Sequence, residues 1–184
     1  RWWRSWTGRA PEAASPVAGF ARDVQAVLAG PLDRQALDAL QRWPAAQGLS
    51  ADDVELELEM IDGALAELDL ADAVARGELP VLRHQHKALG SDACHLAVSA
   101  TLVEADGGRS GRLFVTDRRL VFLATPLVAL TWTALRSLEA DGRDLIVVAP
   151  SRGAAVRLRF GSFADARRVR WLSDHLRAAA GTAA

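Results

Sequence analysis

Gly111-Arg-Leu-Phe-Val-Thr-Asp-Arg-Arg-Leu-Val-Phe-Leu123 decides the fold of this chain, with two short runs of β-branched and aromatic residues around a polar Thr-Asp-Arg-Arg corner. Such runs suit a pleated, half-buried surface and the corner suits water, so the stretch reads as a β-hairpin. Short strand signals continue downstream over residues 127–130, 135–139, 144–148 and 155–160, separated by turns at Asp141-Gly142 and Ser151-Arg-Gly153. In the last strand Val156, Leu158 and Phe160 alternate with Arg157 and Arg159, giving one buried and one wet face. Upstream, residues 92–104 read as a leading strand and the Gly-rich residues 104–110 as a loop. Seven closely spaced strands suggest a barrel or sandwich. Ser162, with Asp165 at capping-box spacing, then starts a helix whose Phe163, Ala166, Val169, Leu172 and Leu176 face inward, suited to cover an open end or edge of that barrel.

Before residue 91 the periodicity is helical. Phe20, Val24, Val27 and Leu28 share a face until Gly30-Pro31, and Leu37, Leu40 and Trp43 share another until Pro44 and Gly48. Ser50 is placed to cap a third helix, with Asp53 at capping-box spacing and Val54, Leu58, Ile61, Leu65 and Leu68 in one stripe. Its carboxylates, among them Asp52, Asp53, Glu55, Glu59 and Asp62, read as a solvated face. The expected fold class is α+β, with a leader and linker at residues 1–16, a small helical domain at 17–90 and a strand-rich domain at 91–184.

Composition narrows the function. A net charge of −1 gives no reason to expect a nucleic-acid partner. The charge is uneven: residues 51–76 hold nine acids against one Arg, and residues 91–184 hold thirteen Arg against nine acids. A regulatory fold of the acidic helix over the Arg-rich part follows as an expectation. Of 22 basic residues only Lys87 is lysine, which reads as compositional bias before function. One cysteine, Cys94, excludes an internal disulfide and fits a reducing, cytoplasmic setting. Apolar runs fall short of the roughly 20 residues of a spanning helix. The chain opens at Arg1 and its only methionine is Met60, so a preceding portion is expected. Arg1, Trp2, Trp3, Arg4 and Trp6 pair ring and guanidinium as a membrane interface favours, and read as the cytoplasmic flank of an upstream spanning helix or as a plain terminal tail.

His84, His86, Cys94 and His95 fall close together, but strand alternation sends Cys94 and His95 to opposite faces, so no metal site is expected; Cys94 aligns with Leu96, Val98, Ala100 and Leu102 as a core residue. No phosphate-binding loop, nucleophile elbow, zinc-protease helix or dinucleotide fingerprint occurs, and His175, near Arg177, reads as solvent-facing or interacting with its helix C-terminus. The chain therefore reads as a non-enzyme without a cofactor.

The hairpin, the short strands after it, the aromatic Trp132 and the closing Phe160-Gly-Ser-Phe-Ala-Asp165 helix resemble the pleckstrin-homology (PH) superfamily, most closely its GRAM and bacterial PH-like branches. The resemblance covers residues 91–179. It implies a seven-stranded PH-like barrel or sandwich capped by a C-terminal helix, serving as a binding module for phosphoinositide headgroups, other anionic membrane surfaces or protein segments. Arg109, Arg112, Arg118 and Arg119 become the candidate lipid or anion contacts, since guanidinium grips phosphate bidentately. The expected place is the cytoplasm, at the inner face of a membrane. The competing reading is an interaction or self-association scaffold whose acidic helical half holds a protein partner while the PH-like part binds no lipid.

Overall fold

The computed structural model describes residues 15–83, 86–150, 153 and 155–182. Two compact units divide between Leu58 and Glu59. In the first, Ser15 Oγ accepts the Ala18 N–H and starts α1 (Pro16–Leu28), which buries Phe20 and Val24. Asp33 does the same through the Gln35 N–H for α2 (Arg34–Ala46), where Leu37 is buried and Trp43 stacks on Phe20 with ring centroids 5.2 Å apart. Ser50 accepts from Asp52 and opens a 3-10 turn, Ala51–Val54, instead of capping an α-helix directly; α3 (Glu55–Ala75) follows. The expected stripe on α3 is narrower than its spacing suggested: Ile61, Gly63 and Ala64 are its buried positions, and Leu58, Leu65 and Leu68 are half-buried.

The second unit carries seven antiparallel strands: β1 (Cys94–Glu104), β2 (Gly107–Thr116), β3 (Arg119–Leu123), β4 (Val128–Thr131), β5 (Ser137–Asp141), β6 (Asp144–Val148) and β7 (Val156–Phe160). Their spatial order is β4-β3-β2-β1-β7-β6-β5, and α4 (Phe163–Thr182) covers the sheet with Ala166, Val169, Leu172 and Leu176. The chain is thus an α+β, PH-like fold, as the hairpin and the closing helix implied. The loop expected at residues 104–110 shrinks to a turn at Ala105-Asp106, because Gly107 at φ 128° reverses the chain and β2 pairs with β1 from its first residue. β5 starts later than residue 135, since Trp132–Ala134 forms a 3-10 turn first.

β1 is the central strand. It pairs with β2 along its length and with β7 over Ala100–Val103. An irregularity in the β1–β2 register between Cys94 and Leu96 resets the alternation. Cys94 consequently leaves the expected row: it packs with Leu89, Phe114 and Val121, while Val98, Ala100 and Leu102 enter the main core with Leu113, Phe122, Trp132, Leu145 and Leu158. His95, expected on a different face from Cys94, is buried too, with Nδ1 2.7 Å from the Pro80 carbonyl.

The solvated reading of α3 fails at Glu59. Its carboxylate accepts the Phe163 N–H at 3.2 Å, at the start of α4, and ion-pairs with Arg143, whose guanidinium lies 5.2 Å from the centre of the Phe163 ring. Glu67 reaches Arg167 at 2.8 Å. Part of the helix acidity therefore neutralises arginine within this unit. No described helix is long and apolar enough to cross a membrane.

Candidate functional site

The Thr-Asp-Arg-Arg corner is built for structure. Thr116 Oγ1 accepts the N–H groups of Arg118 and Arg119 and donates to the Arg119 carbonyl, while Asp117 holds the Ala93 N–H at 2.9 Å. Trp132 Nε1 donates to the Thr116 carbonyl at 3.1 Å. Arg119 donates from Nε to Asp92, a carboxylate 4 % exposed, at 2.6 Å. Arg118 points outward, 66 % exposed, with Asp92 and Asp117 each 3.9 Å away.

Arg109 stands at the opposite end of β2, about 24 Å from the corner by the rise per residue of a strand. There Glu104 takes two of its N–H groups, at 2.6 and 2.7 Å, and the Thr125 carbonyl takes a third at 2.7 Å. These bonds tie the β1–β2 turn to the β3–β4 loop. The hydrogen bond from Arg109 holds the Glu104 carboxyl below its ordinary range and, reciprocally, raises the guanidinium. Beside the pair lies a pocket of about 190 Å³ walled by Leu102, Val103, Val128, Ala155 and Val156, with Leu127, 43 % exposed, adjoining in sequence.

The four candidate arginines thus do not converge. Arg109 and Arg119 are tied to carboxylates at opposite ends of the hairpin, and Arg118 extends from the corner. Arg112 stands apart: it lies mid-strand opposite Ser99, exposed, with no side-chain ion pair to a carboxylate among the described residues, and its charge acts on the Cys94 thiol.

Near Arg112 is an arrangement that sequence reasoning did not assemble. On the outer face of β2-β1-β7, Ser110 sits opposite Thr101, with their hydroxyl oxygens 3.3 Å apart, and Thr101 sits opposite Arg159. Asp144, 4 % exposed, receives Nε–H bonds from Arg157 at 2.6 Å and Arg159 at 2.8 Å. The Arg159 bond first, and then Arg157, hold its carboxyl below the usual range. A trough of about 450 Å³ lies here, lined by Ser99, Thr101, Ser110 and Arg159 together with Ala100, Gly111, Phe160 and Gly161. The alternation of Arg157 and Arg159 in the sequence was the only local signal; their neighbours on β1 and β2 follow from strand order.

Arg1, Trp2, Trp3, Arg4, Trp6 and His84 lie outside the described residues. Among the described ones no group of three metal-ligating side chains comes together. Burial pushes the Cys94 thiol up, away from nucleophilic character. His175 is exposed, as expected, about two turns before the end of α4, and its ring stacks on Trp171 with centroids 5.3 Å apart.

No family model matches the sequence, and no curated protein matches it. Among solved structures it is similar to the C-terminal domain of an unknown protein from Leishmania infantum, at 15% identity and TM-score 0.36 over 48% of this chain and 83% of that one. It is also similar to Inner Membrane Complex Sub-compartment Protein 3 from Toxoplasma gondii, at 13% identity and TM-score 0.38 over 45% and 75%. A third is the DH/PH fragment of PDZRHOGEF, solved in complex with human RhoA, at 12% identity and TM-score 0.43; the match spans 89% of this chain and 54% of that one.

Proposed function

We propose that this chain is a non-enzymatic binding module of the PH/GRAM-like kind, and that the loop end of its sheet contacts a protein partner in preference to an anionic membrane. The observation that carries this reading is the Glu104–Arg109 pair. A headgroup site needs unpaired cations, yet Arg109, the candidate contact at this end, already has its charge matched by a bidentate carboxylate and a third donor used on Thr125. What the loop end presents is a small pocket whose walls mix Leu102, Val103, Val128 and Val156 with the charge-matched Glu104–Arg109 pair, and the exposed Leu127 beside it in sequence, a surface a protein segment can fill. The scaffold reading, in which the acidic helix recruits the partner, has less support, because Glu59 and Glu67 are engaged by Arg143 and Arg167.

Vesicle sedimentation at low salt tests the choice. Wild-type protein should show no retention on anionic vesicles that depends on Arg109, while Glu104→Gln should create salt-sensitive retention by unmasking it. A photo-crosslinking side chain at position 127 should capture a protein from cells expressing the chain, and the same probe at exposed position 139 should not. Salt-sensitive vesicle binding by the wild type that Arg109→Ala abolishes would reverse the conclusion.

A further inference from the structure

We infer that the protein partner of the loop end is a second copy of this chain, joined to the first edge to edge through β4. The inference rests on the reading of Leu127 as a partner contact and names that partner. β4 ends the row of strands, and β3 is the strand that pairs with it. The Trp132 N–H donates to the Arg118 carbonyl at 3.1 Å, which fixes the phase of the β3–β4 ladder: its hydrogen-bonded pairs are Leu120 with Leu130 and Phe122 with Val128. The alternate residues, Ala129 and Thr131, therefore turn their N–H groups, and Ala129 its carbonyl, to the open side. Among the described residues no backbone group of another element takes them.

These unmatched groups are self-complementary. A two-fold axis through Ala129 sets two β4 strands antiparallel, so that each Ala129 N–H meets the other Ala129 carbonyl and the Thr131 end of each copy meets the Leu127 end of the other. The side chains agree with this placement. Val128 and Leu130 enter the core, while Leu127, Ala129 and Thr131 alternate with them as exposed, half-buried and exposed positions. Ala129 on the axis leaves room for close approach, and Leu127, 43 % exposed, gains the Thr131 methyl of the second copy as an apolar neighbour.

Symmetry and charge together select a second copy over another extended segment. Val128-Ala-Leu-Thr131 has no charged residue and no proline, and shortness is the one device that blunts it as an edge. Two copies therefore meet there without like-charge repulsion. β5, at the other end of the row, presents exposed Glu139 and Asp141, which repel a second β5 and would lose water against the apolar β4 edge. Pairing stops at two copies, a closed dimer and not a filament. So short an edge buries less than the roughly 1,000 Å² of a stable interface, so the dimer is weak, with Kd on the order of 100 μM.

The test is sedimentation equilibrium of the full chain from about 10 μM to about 1 mM, spanning that Kd, with amide NMR spectra over the same range. A monomer–dimer equilibrium is expected, with concentration-dependent shifts at Ala129 and Thr131. Ala129→Lys, which sets two like charges on the axis, should weaken it about tenfold or more. Leu127→Asp should weaken it as well, and Glu139→Lys, on the other edge, should leave it unchanged. A photo-crosslinker at position 127 should yield a covalent dimer linked near Thr131. A chain that stays monomeric throughout while the crosslinker captures a different protein would overturn this inference and leave the loop-end reading standing; a monomer whose crosslinker captures no protein sinks both. A dimer indifferent to Ala129→Lys and Leu127→Asp, or assembly that grows past two copies, also overturns it. Should Ala129→Lys lose its dispersed spectrum, Thr131→Lys at an exposed position and Leu127→Asp decide the matter.

Discussion

Arg119 donates from Nε to Asp92 at 2.6 Å across 27 positions of sequence, and the carboxylate it meets is almost wholly buried. The residue expected to greet an anionic ligand instead holds the hairpin corner to the start of β1. Removing the cation leaves Asp92 in a low-dielectric place without its main partner. Arg119→Ala should therefore cost about 2 kcal/mol of unfolding free energy, below the range for fully buried pairs because the arginine is partly wet. Chemical denaturation measures this, and a loss no greater than that of Arg118→Ala would contradict it.

Asp144 should set part of the acid limb of stability. Its carboxyl is held low, first by Arg159 and then by Arg157, so the folded-state value lies below the unfolded value of about 3.9. A depressed group contributes stability that is fully present above the unfolded value and is lost as pH falls through the folded one. Asp144→Asn should lower stability near neutrality and flatten the decline below about pH 4. An unchanged acid limb in the variant would refute this assignment.

Ser173 is fully buried on α4, and its hydroxyl has no hydrogen-bond partner among the described residues. Exchanging an unsatisfied buried hydroxyl for a methyl removes a desolvation cost and improves helix propensity. Ser173→Ala should raise unfolding free energy by about 1 kcal/mol. Thermal and urea denaturation should agree in sign; a destabilised variant would point to an unrecognised partner for the hydroxyl.

Gly111 and Gly161 make an internal control. A Cβ at Gly111 would meet the Leu123 carbonyl and the Phe122 ring, whereas at Gly161 no atom lies within 4 Å. Gly111→Ala should cost about 2 kcal/mol or more by forcing β2 from β3, and Gly161→Ala should stay near neutral. Equal effects in denaturant would show that the crowding at Gly111 relaxes freely.

Much of this architecture was legible because it is local. The strand runs on either side of residues 116–119, the Asp141-Gly142 turn and the Ser162 cap each depend on residues a few positions apart, and each appears near its expected place. Boundaries slipped where a neighbour intervened, as in the 3-10 turn at Trp132 that delays β5 and the register irregularity near Cys94 that moves it out of the main core.

The sequence by itself determined the hairpin, the succession of strands and the closing helix, since backbone preference and side-chain periodicity act over one or two turns of chain. Only the tertiary structure decided which arginines are available. Arg109, Arg119, Arg143 and Arg159 look alike in the sequence, but Glu104, Asp92, Glu59 and Asp144 reach them from 5, 27, 84 and 15 positions away. Arg112 has no such carboxylate ion pair among the described residues, and strand register instead lets its charge act on the Cys94 thiol. Charge compensation acts through space at a few ångströms, so its pairings follow strand order and register, which the linear chain does not display.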